Sequence, residues 1–269
     1  MFDSIVDVPC RVVDVPISET LTMPVVTADC DHVMEMYIQA GMDDRDPYWT
    51  CIWPSSQVLA REVLQSDPSI VQGKRVSDFG AGLGLAGVAA GLSGASDVVF
   101  LDREPLSLEC CLLNAQVNGF DRSCMSMGFS GDNYVPHLSD IHVEHMARFS
   151  QPVPQTRLTA DVFDWNEEIR APHLHGYDTI LACDVLYEKF SVEPIARVLP
   201  LLLRRKEDGG GKILIADPPN RAKANREKFI GLMACYGFQI ERQETKIALE
   251  QTEAQGIREV PIVLLVLSR

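Results

Sequence analysis

Residues 78–84, Asp78-Phe79-Gly80-Ala81-Gly82-Leu83-Gly84, carry the clearest chemical signal in the chain. Glycines that follow a strand and open a helix let the backbone pass close to a ligand held at the helix N-terminus. An acid, Asp102, follows about 20 residues later at the end of the next strand, where nucleotide-binding α/β domains hold a ribose diol. Gly82, Gly84 and Gly87 also satisfy G-x-G-x-x-G, so a nicotinamide or flavin dinucleotide is one reading and a glycine turn without a ligand is another. Asp78 points to a third. A carboxylate at the strand tip repels a pyrophosphate and favours a ligand with an ammonium and a sulfonium, as in S-adenosylmethionine (SAM).

The elements that would position these residues follow from hydropathy pattern and punctuation. Strands are expected at 75–79, 97–102, 157–162, 177–184 and 212–217. Helices are expected from the glycine turn to residue 91 and at 105–118, 193–205 and 222–236. This alternation predicts an α/β fold with a mostly parallel sheet and right-handed crossovers. Segments 238–246 and 260–267 have no helix between them, which predicts a terminal antiparallel hairpin at the sheet edge. Upstream, 5–15 and 21–26 read as a strand pair, 31–40 as a short helix and 56–65 as another. The predicted division is an N-terminal β/α extension over 1–50 and a main domain over 51–269. Residues 121–157 break the rhythm and read as an insertion or surface excursion, with a short helix at 142–149.

Bulk properties narrow the function. The chain has 269 residues, 46% apolar and 23% charged, which is ordinary for a globular domain with a full core. A net charge of -14 argues against a protein that tracks a nucleic-acid backbone. Eight cysteines occur with no C-x-x-C spacing, and reduced, mostly buried thiols in an intracellular protein are expected. No apolar run reaches membrane-spanning length. The first residues show neither a signal peptide nor a basic presequence. His142 and His145, with His137 nearby, lack further ligands at metal spacing, so a wet loop is expected and no metal.

The wording of several segments adds a resemblance. DFGAGLG followed by FLD resembles the SAM motif of the Rossmann-like seven-strand methyltransferases. PYWTCIWPSSQVLAREVL, ACDVLYE and ADPPNR resemble the family-16 group, which contains small lysine methyltransferases. The wording is nearest to the electron-transfer-flavoprotein β-subunit lysine methyltransferases. The likeness covers about residues 45–119 and 160–245.

The resemblance implies SAM as cofactor, with Asp78, Gly80, Gly82, Gly84 and Asp102 around it. It implies Trp53 as a pocket wall, Asp161 as reader of the adenine amine and Trp165 as the ring covering adenine. Asp184 and Tyr187 form the acid-x-x-aromatic motif at a strand tip, where they would orient a lysine amine. Asp184 would also touch the cofactor. The competing reading is that Asp184 caps the following helix and Tyr187 packs. Asn114 and Asn118 are expected on a solvated helix face. The functional expectation is a SAM-dependent N-methyltransferase acting on a protein side chain, lysine first. Alternatives are a small-molecule or protein-histidine methyltransferase, or a non-catalytic binding module of the same fold. The expected partner is a protein substrate, with no nucleic acid and no membrane. The chain is expected to be a cytoplasmic monomer, with mitochondria and nucleus as other compartments.

Overall fold

The computed structural model describes residues 4–42, 44–65, 67–128, 135–140, 155–252 and 256–269. The helix expected at 142–149, with His142 and His145, lies outside the described residues.

The chain opens with β1 (Cys10–Pro16) and β2 (Thr22–Ala28), which pair antiparallel as a separate two-stranded sheet. Next come α1 (Cys30–Gln39), N-capped by Asp29, and α2 (Pro54–Gln65). Strand and helix then alternate through β3 (Arg75–Phe79), α3 (Leu85–Leu92), β4 (Asp97–Asp102) and α4 (Pro105–Val117). The second half holds β5 (Met125–Met127), β6 (Arg157–Val162), β7 (Thr179–Cys183), α5 (Val192–Leu202), β8 (Lys212–Asp217) and α6 (Lys223–Cys235). It ends with β9 (Gln239–Thr252) and β10 (Gly256–Ser268).

The main sheet has eight strands in the order β5-β6-β4-β3-β7-β8-β10-β9. All neighbours are parallel except β10, which runs antiparallel to both β8 and β9. The expected mostly parallel sheet and terminal hairpin are both present. The segment read as an excursion contributes β5, a short edge strand, with Met125 and Met127 buried.

Residue alternation along the strands sorts the core into two halves. Val76, Phe100, Leu158, Leu181 and Leu214 join one cluster with α2, α3, α4 and the N-terminal strand pair. Val99, Leu101, Ile180 and Ile213 join the other with α5 and α6. This is the period-2 pattern of a sheet covered on both faces. From β3, the chain continues to β4 on one side, then returns to β7 on the other. The crevice between the carboxyl ends of β3 and β7 is therefore the switch point of the sheet, where open α/β folds bind ligands.

Helix α4 explains a departure from the sequence expectation. Its core run, Leu106 to Ala115, is buried without interruption. The sheet covers one side and β2 covers another. Asn114 and Asn118, expected in water, are each 1% exposed. Asn114 accepts from the Val26 N–H and donates to the carbonyls of Val26 (3.1 Å) and Leu83 (2.8 Å). Asn118 donates to the Pro24 carbonyl at 2.8 Å. A helix without a polar stripe is buried all round, and its amides then serve as internal hydrogen bonders.

Candidate active site

The loop after β3 takes left-handed φ at Gly80 (65°), Gly82 (53°) and Gly84 (72°). At Gly80 and Gly84 side chains are excluded for steric reasons as well. A Cβ on Gly80 would stand 2.9 Å from Val185 Cγ1, and one on Gly84 would stand 2.8 Å from Cys111 Sγ. The Gly80 N–H donates to the Leu101 carbonyl at 2.8 Å, and the Gly82 N–H donates to Asp102 Oδ2 at 2.9 Å. Asp102 Oδ1 accepts from the Glu104 N–H at 3.0 Å. Burial raises the Asp102 carboxyl above its ordinary value, against the two amide N–H groups that favour its charge.

A cavity of about 470 Å³ lies over this loop at the carboxyl ends of the parallel strands. Its wall includes Gly80, Gly82, Asp102, Trp53, Trp165, Asp184 and Tyr187. The sequence-selected residues thus converge on one space, with three differences.

Asp78 is the first. Its side chain lies on the same strand face as Val76, under α3, and is 2% exposed. Asp78 Oδ2 accepts from the Gly87 N–H at 2.8 Å. It does not line the cavity. Burial pushes its carboxyl up to about 7, opposed by the Gly87 N–H and reinforced by Asp102. The structure thus places Asp78, expected to meet the ligand's positive charge, beneath α3 and outside the cavity wall. Asp78 braces the loop from beneath, and Asp102 is the carboxylate of this loop region that reaches the cavity.

Asp161 is the second. It bonds to Arg170 at 2.8 Å and His173 Nε2 at 2.8 Å, and it is absent from the cavity wall. Burial raises its carboxyl, but the His173 and Arg170 contacts outweigh this and hold it below its ordinary value. Asp161, expected to read the adenine amine, thus fastens the segment after β6 and stands outside the cavity wall. Phe163, Trp165 and Asn166 are the cavity residues of this stretch. Phe79 backs the Trp165 ring at a centroid distance of 5.7 Å.

Glycine position is the third. Gly84 is the N-cap of α3 and does not line the cavity, whereas Gly80 and Gly82 do.

Asp184 follows β7 directly and has φ 55°, a left-handed conformation that Asp tolerates better than most residues. The next helix, α5, begins eight residues on at Val192, so Asp184 does not cap it. Ser55 Oγ donates to Asp184 Oδ2 at 2.7 Å, and Arg221 pairs with Oδ1. Burial raises its carboxyl, with Ser55 and Arg221 pulling the other way. Behind it, Asp217 is fully buried at the end of β8. The Leu186 N–H favours its charge from nearby, but burial and Asp184 dominate and push its carboxyl up to about 7.

Tyr187 is 42% exposed on the cavity rim. The Trp53 ring carries the Arg221 guanidinium at 5.1 Å from its centroid, and its Nε1 donates to the Tyr48 carbonyl at 3.1 Å. Trp49 takes the core role instead. It is buried and donates to Tyr37, whose hydroxyl reaches Glu104 at 3.0 Å.

Ser55 and Arg221 were missed as site residues in the sequence. Ser55 stands inside the WPSS segment, and Arg221 ends ADPPNR just past the β8 tip. A polar residue beside a known wall residue, and a cation on the same rim as Asp184, were the available signals.

Among the described residues, no three metal-binding side chains come together, and no helix is long and apolar enough to cross a membrane.

Strand order, terminal hairpin and glycine-loop cavity define a Rossmann-like methyltransferase fold. A crystal structure from Pyrococcus horikoshii, described as a candidate RNA methyltransferase, superposes with a TM-score of 0.51 at 12% identity, covering 80% of this chain and 82% of that one. The lysine methyltransferase family model (Methyltransf_16) matches residues 137–234. The electron transfer flavoprotein beta subunit lysine methyltransferase of Rattus norvegicus is 41% identical over 76 residues, 28% of this chain and 29% of that protein. The calmodulin-lysine N-methyltransferase of Arabidopsis thaliana is 30% identical over 158 residues, 58% of this chain and 41% of that protein. The chain thus spans less than a third of the rat relative and less than half of the plant one. The family resemblance read from the sequence is met in these matches.

Proposed function

We propose that this chain is a SAM-dependent methyltransferase that methylates a protein amine, with a lysine side chain as acceptor. One observation carries the reading. One cavity at the sheet's switch point is lined together by the bare glycines Gly80 and Gly82, by Asp102, and by Asp184 and Tyr187.

The residues present fit the cofactor. Gly80 and Gly82 offer backbone that a ligand can approach closely. Asp102 is already oriented by two amides and suits a ribose diol. Trp165, held by Phe79, offers a flat face for an adenine, and Trp53 lines the same cavity. Within this reading Gly84 shapes the loop without touching the ligand. The bound cofactor supplies an activated methyl group on a sulfonium. The protein's remaining task is to position the acceptor, exclude water and favour the neutral amine. Free lysine has a pKa near 10.4, so the amine must shed a proton before it attacks. Asp184 orients it through a charge-assisted hydrogen bond, and the Tyr187 ring narrows the approach. The catalytic unit is assigned to 51–269 and the extension to 1–50. A net charge of -14 suits a protein substrate that presents its acceptor within a basic segment.

Calorimetric titration with SAM and S-adenosylhomocysteine tests the cofactor assignment, and no heat of binding for either defeats it. Incubation with tritiated SAM and a cell lysate tests the acceptor. Label in a discrete protein band is expected. Label confined to small molecules refutes the protein-substrate reading.

A further inference from the structure

The acceptor end of the cavity already holds a cation, and it belongs to the chain itself. Asp184 is 7% exposed, and one of its oxygens is engaged by Arg221. The same guanidinium lies over the Trp53 ring at 5.1 Å. The Ser55 hydroxyl fixes the other oxygen of Asp184 at 2.7 Å, so the carboxylate cannot turn away. A buried carboxylate facing an indole is a cation-binding pair, in which charge and ring quadrupole attract the same ligand.

The Arg221 side chain is itself 45% exposed, which distinguishes it from the partners it touches. It follows two prolines beyond β8, outside any helix or strand. Arginine does not deprotonate in proteins, so the contact persists across the working pH range. An amine arriving at Asp184 and Trp53 must therefore displace it.

We infer that Arg221 is a built-in competitor for the acceptor amine, a guanidinium latch occupying the site that a primary ammonium takes when a substrate enters. This rests on the proposed amine acceptor, although its test uses neither SAM nor turnover. Displacement is feasible because the latch swings into water, where its charge is solvated, while Ser55 keeps Asp184 in place. The latch adds selectivity. A weakly held amine does not displace it, whereas a lysine presented on a docked protein surface does, since docking raises its effective concentration.

The test is binding of n-butylammonium, a lysine side-chain analogue, to the full chain without cofactor, measured by isothermal titration calorimetry. Arg221→Ala and Arg221→Gln are both expected to bind it roughly tenfold more tightly than wild type, the scale of losing one competing charge-assisted hydrogen bond. Adding Asp184→Asn to Arg221→Ala is expected to abolish that gain. If the double variant unfolds in a thermal melt, Trp53→Leu in the Arg221→Ala background takes its place, with at least a threefold loss expected. Equal or weaker binding by both Arg221 variants overturns the latch, as does a gain that survives removal of Asp184 or Trp53. Failure of SAM titration would defeat the methyltransferase reading and leave this result standing, so the two are separable.

Discussion

Asp78→Asn should stabilise the protein, and increasingly so as pH rises. In the folded chain the Asp78 carboxyl ionises at about 7, against 3.8 for a free one, because burial disfavours its charge. A carboxyl whose folded pKa is raised contributes most to stability when protonated. That contribution is complete below about 3.8 and is lost as pH climbs through 7. Each pH unit of separation is worth ~1.4 kcal/mol. The folded state therefore forfeits roughly 2 kcal/mol at pH 5.5 and roughly 4 kcal/mol at pH 8.5 at this one residue. Asn has nearly the same shape, its carbonyl oxygen can still accept from Gly87, and it cannot ionise. The unfolding free energy of Asp78→Asn minus that of wild type should rise by ~2 kcal/mol between pH 5.5 and 8.5. Guanidinium denaturation followed by the emission of the three tryptophans measures it. A difference that stays flat across this range would show that Asp78 ionises normally, and the account of its burial would fall. SAM affinity should change less than fivefold. A hundredfold loss would place the carboxylate back against the ligand.

Asp102→Ala should weaken SAM binding by roughly 10- to 100-fold in calorimetry, the range for a lost hydrogen bond to a charged group, and unchanged affinity would move the ribose site elsewhere. Asp184→Asn should lower kcat more than SAM affinity; the reverse would assign it to the cofactor alone. Gly84→Ala should cost roughly 1–3 kcal/mol in denaturation, because its Cβ meets Cys111 at 2.8 Å in a left-handed backbone. Asn114→Ala should cost roughly 2–4 kcal/mol, since it strands the Val26 N–H and the Leu83 carbonyl in the core.

The fold was legible because its signals are local. KILIAD, DVVFLD and RVSDF are apolar runs between turn residues, and β8, β4 and β3 occupy those positions. The absence of a helix between the last two strands was enough to foresee their antiparallel pairing. The composition of the site was also legible, since Trp53, Gly80, Gly82, Asp102, Trp165, Asp184 and Tyr187 share one cavity. Direction was harder to read. Strand parity decides whether a tip residue faces the ligand or the helix layer, and for Asp78 and Asp161 it sends the carboxylates to Gly87 and to His173. Nor does spacing show that residue 221 folds back over residue 53, because that contact joins distant parts of the chain. The burial of Asn114 was visible in principle, as CCLLNA offers no polar stripe. Its partners lie 88 and 31 residues away, and pairing at that range leaves no local trace.

The double engagement of Asn114 ties the first strand pair to the ligand loop through one amide. Trimming the chain to begin near residue 51 would strip the β2 cover from α4 and expose the flank at Cys110 and Asn114, which bond to Val26. Such a fragment should clump on expression, and its glycine loop would lose the anchor at Leu83. The segment read as an N-terminal extension thus packs as part of the main body, and shortened versions should be cut no closer than Ser4, whose hydroxyl bonds to Glu109 on that helix.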